Sequence, residues 1–334
     1  MKIFIYLTAA ITMLSGISQA FSEDPIIIKF SHVVANDTPK GKGAIKFKEL
    51  VESRTNGKVQ IQIFSNSTLY KDGEEMGAIQ LGAVQMLAPS LAKFAPMGVR
   101  EFELFDLPYL FKNDEELHKV TNGPVGKQLL QKLESKGIIG LAYWDNGFKV
   151  MSANSPIKKT TDFKGLKMRI QSSKVLDGEM RALGAIPQVI GFSEVYEALQ
   201  NGVVDGTENP PSNLYTQKMF EVQKNVTVSD HGYLGYAVIV NKKFWDGLPP
   251  DIRQILETSM KEATEYSNSI AKEENLNSLE KVKASGKSTV YYLTPEEKST
   301  WKKVLMVVHK DQTPRIGKEI IDAVYKEINF DPNN

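Results

Sequence analysis

The chain has 334 residues, no cysteine, and 41 Lys and Arg against 40 Asp and Glu, a formal charge of +1. Near-neutrality argues against a nucleic-acid binder, and the absence of thiols excludes thiolate metal sites and cysteine nucleophiles. More than 300 residues exceed what one hydrophobic core usually holds, so two lobes are expected.

Residues 1–20 read as an export signal: Lys2, an apolar run from Ile3 to Leu14, then small residues in Ser18-Gln19-Ala20. The apolar run is about a dozen residues, short of the ~20 that span a bilayer. Cleavage near Ala20 removes Lys2 and leaves 40 bases against 40 acids. An anion must then be attracted by a local site rather than by the whole body.

Ile26–Val33 reads as a buried strand. Ala44–Thr55 has helical spacing, with Ala44, Phe47, Leu50 and Val51 on one face and Gly57 at its end. Val59–Phe64 alternates as a half-buried strand, Glu74–Leu81 is a short helix stopped by Gly82, and Val84–Ala88 is strand-like. Helix 114–136 and strand 138–144 continue a β/α rhythm that implies a largely parallel sheet.

A second β/α set follows, with strands Phe148–Ser152, Lys167–Ile170 and Pro187–Ile190 and helix Lys174–Leu183. Ser193 is expected to cap helix Glu194–Gln200, which Asn201-Gly202 ends. Tyr236–Val240 is a strand. Pro249–Gly286 is the longest helical pattern, with Ile252, Ile255, Leu256, Met260, Ala263, Tyr266 and Ile270 on one face. Leu276, Leu279 and Val282 fall in a shifted register, which suggests a bend or a change of packing partner. Thr294-Pro295-Glu296-Glu297 is a capping box with proline at the first helical position. With no Pro/Gly/Ser-rich linker, structured crossings should join the lobes.

Enzyme motifs are missing. The four histidines form no H-E-x-x-H, and there is no G-x-S-x-G elbow or phosphate loop. Gly41-Lys42-Gly43 reads as a glycine-rich entry to a helix, because Lys46 stands where a dinucleotide loop needs its third glycine. Arg169 is the lone arginine of the strand K-M-R-I, on one face with Lys167 and opposite Met168 and Ile170. Its guanidinium fork suits a carboxylate, although a surface arginine on a strand fits the residues equally. Asn209, in D-G-T-E-N-P-P, reads as an amide donor or a turn residue. Phe192 reads as core, and Lys149 as a second cation or a solvated lysine.

The stretch F-S-E-V-Y-E-A-L-Q-N-G-V-V-D-G-T-E-N-P-P from Phe192 to Pro211, with L-K-M-R-I upstream, resembles the signature of the solute-binding proteins of TRAP (tripartite ATP-independent periplasmic) transporters. F-S-H-V-V-A-N-D-T-P-K-G, N-S-T-L-Y-K-D-G-E-E-M, Q-M-L-A-P-S-L-A-K-F and Y-W-D-N-G-F-K resemble the dicarboxylate-binding branch. The resemblance covers essentially the whole exported chain. It implies an α/β fold of two lobes around a ligand cleft, with crossing strands and a long bent helix spanning both. Lobe I would comprise residues 21–146 and 235–274, and lobe II residues 147–234 and 275–334.

It further implies that Arg169 pairs with a ligand carboxylate, Asn209 bonds the same end, and Phe192 packs beside it. Lys149 stands where many acid-binding relatives carry a second arginine. His32, Lys40, Ser90, Lys93 and Trp144 lie in segments that border the cleft. The expected ligand is a C4-dicarboxylate (succinate, fumarate or malate), or else a sugar, keto or aromatic acid. The expected partners are the small and large subunits of a membrane permease, with no enzyme activity, cofactor or nucleic acid. The expected location is the periplasm.

Overall fold

Side-chain alternation decides the first sheet. In V-Q-I-Q-I-F, Val59 and Ile61 are buried while Gln60 and Gln62 face solvent. The computed structural model describes residues 24–332, so the export signal and its cleavage point lie outside the described residues. Among the described residues are eleven strands: β1 (Ile26–Ser31), β2 (Val59–Phe64), β3 (Met86–Leu87), β4 (Ile138–Phe148), β5 (Val150–Ala153), β6 (Lys167–Ile170), β7 (Ile186–Val189), β8 (Gly206–Asn209), β9 (Asn225–Val228), β10 (Tyr233–Asn241) and β11 (Thr289–Tyr292). They form two sheets, ordered β2-β1-β3-β10-β4 and β11-β9-β5-β8-β6-β7. β1 pairs in parallel with β2 and β3, and β6 in parallel with β7 and β8. The fold is a two-lobed α/β architecture, each lobe built on one sheet.

Three structured segments pass between the sheets. β4 belongs to the first and β5 to the second, with only Lys149 between them. β9 leads back to β10. The helix Pro250–Ala284 is the third. Its Ile252, Leu256, Met260 and Ala263 pack with Phe30 and Val238 of the first sheet, while Leu279 and Val282 pack with Val150 and Val226 of the second. The end of the chain also ties the two halves together. Helix Pro295–Ile316 packs on Lys174–Ala182, and Lys318–Ile328 on Asp114–Asn122. No described helix is long and apolar enough to cross a membrane.

Several expected boundaries move for local reasons. The first helix runs Pro39–Arg54, starting earlier because Thr38 accepts a bond from Gly41 N at 3.2 Å and Pro39 opens the first turn. The expected helix 114–136 is split into Asp114–Asn122, Pro124–Lys132 and a tight turn Leu133–Lys136, because Pro124 forces Gly123 into an extended conformation. Ser193 is not a cap. A 3₁₀ turn, Phe192–Glu194, leads directly into Val195–Gln200 and leaves Ser193 exposed. The expected turn at D-G-T-E-N is β8, with Gly206, Thr207, Glu208 and Asn209 all buried.

The long helix buries a seam of small residues, Ser259, Ala263, Ser267 and Ala271, at four-residue spacing. Helix Pro39–Arg54 lies against it. A Cβ on Gly43 would stand 2.9 Å from the Ser267 side chain, so only glycine permits this approach. Gly43→Leu is therefore expected to destabilise the fold by about 1–3 kcal/mol through overpacking. Urea unfolding reads this directly, and an unchanged midpoint would mean that the two helices do not interlock there.

Candidate functional site

In open α/β sheets, ligands gather at the carboxyl ends of parallel strands. Here both sheets turn such ends toward one cleft. Val33 and Val34 follow β1, Asp72 follows β2, and Ser90 follows β3. Opposite them, Gln171 follows β6, Phe192 follows β7, and Asn209 ends β8. These residues, with Asn213, Leu234 and Tyr236, line a cavity of about 20 Å³ between the lobes.

Arg169 stands on β6 two residues before Gln171 and is 1 % exposed. Its Nε donates to Ile190 O at 2.9 Å, which fixes the plane of the guanidinium. Its Nη2 is buried without a protein partner, and the group lies 6.0 Å from the Phe192 ring centroid. Desolvation lowers its pKa, opposed by Asp72 and Glu208. A buried guanidinium with an unused donor is costly alone and well suited to a carboxylate. Asn209 is buried on the neighbouring strand β8, where its Oδ1 accepts from Asn213 Nδ2 at 3.5 Å.

The first lobe supplies Lys40, which is fully buried. Its Nζ donates to Ala88 O at 2.9 Å and sits 3.7 Å above the Tyr236 ring, itself a cavity wall. Burial draws its pKa down to about 8. His32 is equally buried, with both ring nitrogens lacking partners. Burial, with Lys40 adding to it, pushes its pKa to about 3, so the ring is neutral. Ser90 Oγ donates across the cleft to Gln171 Oε1 at 2.5 Å. Lys93 Nζ pairs with Asp72 Oδ2 at 2.7 Å.

Two expected site residues are placed elsewhere. Trp144 is packed at 6.0 Å from Phe30, with Nε1 donating to Thr264 Oγ1 at 2.8 Å, so it belongs to the core of the first lobe. Lys149 is buried in the crossing between β4 and β5, where its ammonium pairs with Glu208. His231 Nε2 lies 3.6 Å from Glu208 and 3.7 Å from Glu179, and Asp106 also acts on Lys149. Lys149 therefore pairs with acids inside the crossing, and, like Arg169, Lys40, His32 and Lys93, it is not among the residues that line the small cavity. Its neighbour Glu208 precedes Asn209 in β8 and, by alternation, points to the other side of the sheet.

Asp72, Glu75, Gln171, Asn213 and Tyr236 were not singled out from the sequence. Gln171 had a readable signal, the two-residue step from Arg169. Tyr236 had another, a hydroxyl in the apolar run of β10. Asp72 and Glu75 had none, since acids are not sought at an anion site.

A model of the bacterial extracellular solute-binding proteins, family 7, matches residues 30–314. The chain is 66% identical over 301 residues to the C4-dicarboxylate-binding periplasmic protein DctP of Rhodobacter capsulatus, covering 90% of each chain. It superposes with a TM-score of 0.89 on a TRAP periplasmic solute-binding protein of Shewanella oneidensis with bound succinate, at 41% identity, covering 91% of this chain and 99% of that one. A sugar-acid-binding protein of Advenella mimigardefordensis in complex with galactonate also gives 0.89, at 31% identity, covering 92% and 98%.

Proposed function

We propose a ligand for this protein from one premise: the chain belongs to family 7 of the bacterial extracellular solute-binding proteins, the DctP-like binding proteins of TRAP transporters. Proteins of this family bind and deliver solutes, and they are not enzymes. In our reading, this one captures a C4-dicarboxylate (succinate, fumarate or malate) in the periplasm and hands it to the small and large permease subunits in the membrane. The lobes divide at residues 147, 235 and 275.

The observation that carries the reading is Arg169, buried at the cleft with Nη2 unpartnered while Lys40 stands on the facing lobe. A diacid held between the lobes offers one carboxylate to each cation. Burying such a dianion without cations would be prohibitive. Arg169 takes one carboxylate with its fork, Asn209 adds an amide donor, and Phe192 excludes water. Lys40 meets the other carboxylate near Ser90 and Tyr236. Closing the lobes removes water and strengthens each contact, so the ligand shifts the open–closed equilibrium by its preference for the closed form. The sugar-acid relative supports a second reading, in which the same cleft holds a hydroxylated monoacid.

Calorimetric titration of ligand-free protein separates these readings. Succinate is expected to bind at least about 100-fold more tightly than butyrate, because the second carboxylate meets a desolvated cation. Galactonate binding more tightly than any C4-dicarboxylate would overturn the assignment.

A further inference from the structure

Asp72 is an acid on the wall of a site that takes acids. It follows β2 on the first lobe, is 6 % exposed, and lines the cavity. Its Oδ2 receives both Lys93 Nζ at 2.7 Å and, across the cleft, the backbone N–H of Phe192 at 3.2 Å. Its Oδ1 makes neither bond.

The charges gathered here do not cancel. Lys40, Lys93 and Arg169 bring three positive charges. Asp72 brings one negative charge. Burial favours its protonation, but Lys93, Arg169 and the Phe192 amide outweigh that and hold the carboxyl below the usual range. Glu75 carries a proton near neutral pH, because burial pushes it up to about 8, and His32 is neutral. Three positive charges less one leave two, the charge that a dianion neutralises. The Lys149 pair with Glu208 balances itself within the crossing.

We propose that Asp72 is a specificity residue: held in place by Lys93, its carboxylate matches the cleft to a dianion, turns away tricarboxylates, and ties the lobes together through Phe192. A third carboxylate brought into the closed cleft would face an ionised oxygen in a water-poor setting, and like charges placed together there are strongly unfavourable. A dianion meets no such penalty and leaves the bond from Phe192 to Asp72 intact.

The inference rests on the dicarboxylate reading, and the test separates the two. Wild type and Asp72→Asn, both ligand-free, are titrated by calorimetry with succinate, tricarballylate and 3-methylglutarate. The last two share a five-carbon diacid backbone, and only tricarballylate carries a third carboxylate. Asp72→Asn is expected to narrow the preference for succinate over tricarballylate by about tenfold or more, and to leave the preference over 3-methylglutarate within about threefold. An equal gain by both analogues would mean that Asp72 acts through volume, and overturns the proposal. An unchanged tricarballylate preference in a variant that still binds succinate also overturns it. A wild type that ignores succinate overturns the ligand reading and this inference with it. Lys93→Gln supplies an independent arm by lowering the net charge of the cleft by one. It is expected to weaken succinate by a factor at least about five larger than butyrate, and equal losses count against the charge-matching argument.

Discussion

Arg169→Lys is expected to weaken succinate binding by about 100-fold, although the positive charge is kept. The guanidinium is anchored by Nε on Ile190 O, which fixes its plane and leaves Nη2 without a protein partner. A lysine at this position has one nitrogen where the guanidinium has three, so it must serve Ile190 O and the ligand from a single point and cannot reproduce the geometry of Nε and Nη2 together. It also gives up the two parallel bonds that a carboxylate accepts from a guanidinium. Calorimetry on ligand-free protein, with urea unfolding to show an intact fold, measures the loss. Equal succinate affinity in the two proteins would remove Arg169 from the site.

The burial of Arg169 was not legible from its strand alone, where a surface arginine fits equally, and the motif that follows it carried the expectation that it meets a ligand. The position of the cleft was legible in outline, since parallel strands deliver their carboxyl ends to one edge. Lys167 and Arg169 share a face, yet Lys167 is exposed and Arg169 buried. Alternation gives the face of a strand but not which end meets the opposite lobe. The contacts of two expected site residues were not legible, for one reason. Lys149 and Trp144 lie on the segment that runs from the first sheet to the second, and their surroundings are made by residues far away in sequence. Trp144 meets Phe30 and Thr264, and Lys149 meets Glu208, Glu179 and Asp106. No local pattern states such contacts. Of the small-residue seam at Ser259, Ala263, Ser267 and Ala271, only Ala263 falls within the apolar pattern, because buried serines carry no hydrophobic signal.

Replacing Lys149 with methionine is expected to cost about 3–5 kcal/mol of stability while the cleft residues keep their preference for diacids over monoacids. Lys149 and Glu208 are both buried to within 1 % in their side chains, so removing the ammonium strands an ionised carboxylate in the interior. Burial by itself would raise the Glu208 pKa. In the intact protein the Lys149 charge and the bond and charge of His231 outweigh burial and hold it below its ordinary value. A depressed carboxyl pKa contributes stability above the unfolded value, and that stability is lost as pH falls through the folded one. In Lys149→Met the sign reverses. Glu208 would then titrate high, and its penalty would be largest at neutral pH and relieved as acid supplies the proton. The gap between variant and wild type should therefore shrink on acidification. Glu179 and Asp106 supply no counter-charge: burial pushes them up to about 8 and about 7, and a carboxyl is at best neutral. Adding Glu208→Gln to Lys149→Met removes the stranded charge and should recover most of the loss, because an uncharged pair needs no counter-ion. Urea unfolding of the single and double variants at several pH values makes the comparison. If the single variant were as stable as wild type but bound succinate no better than butyrate, Lys149 would be a ligand contact after all, and the crossing would not need its charge.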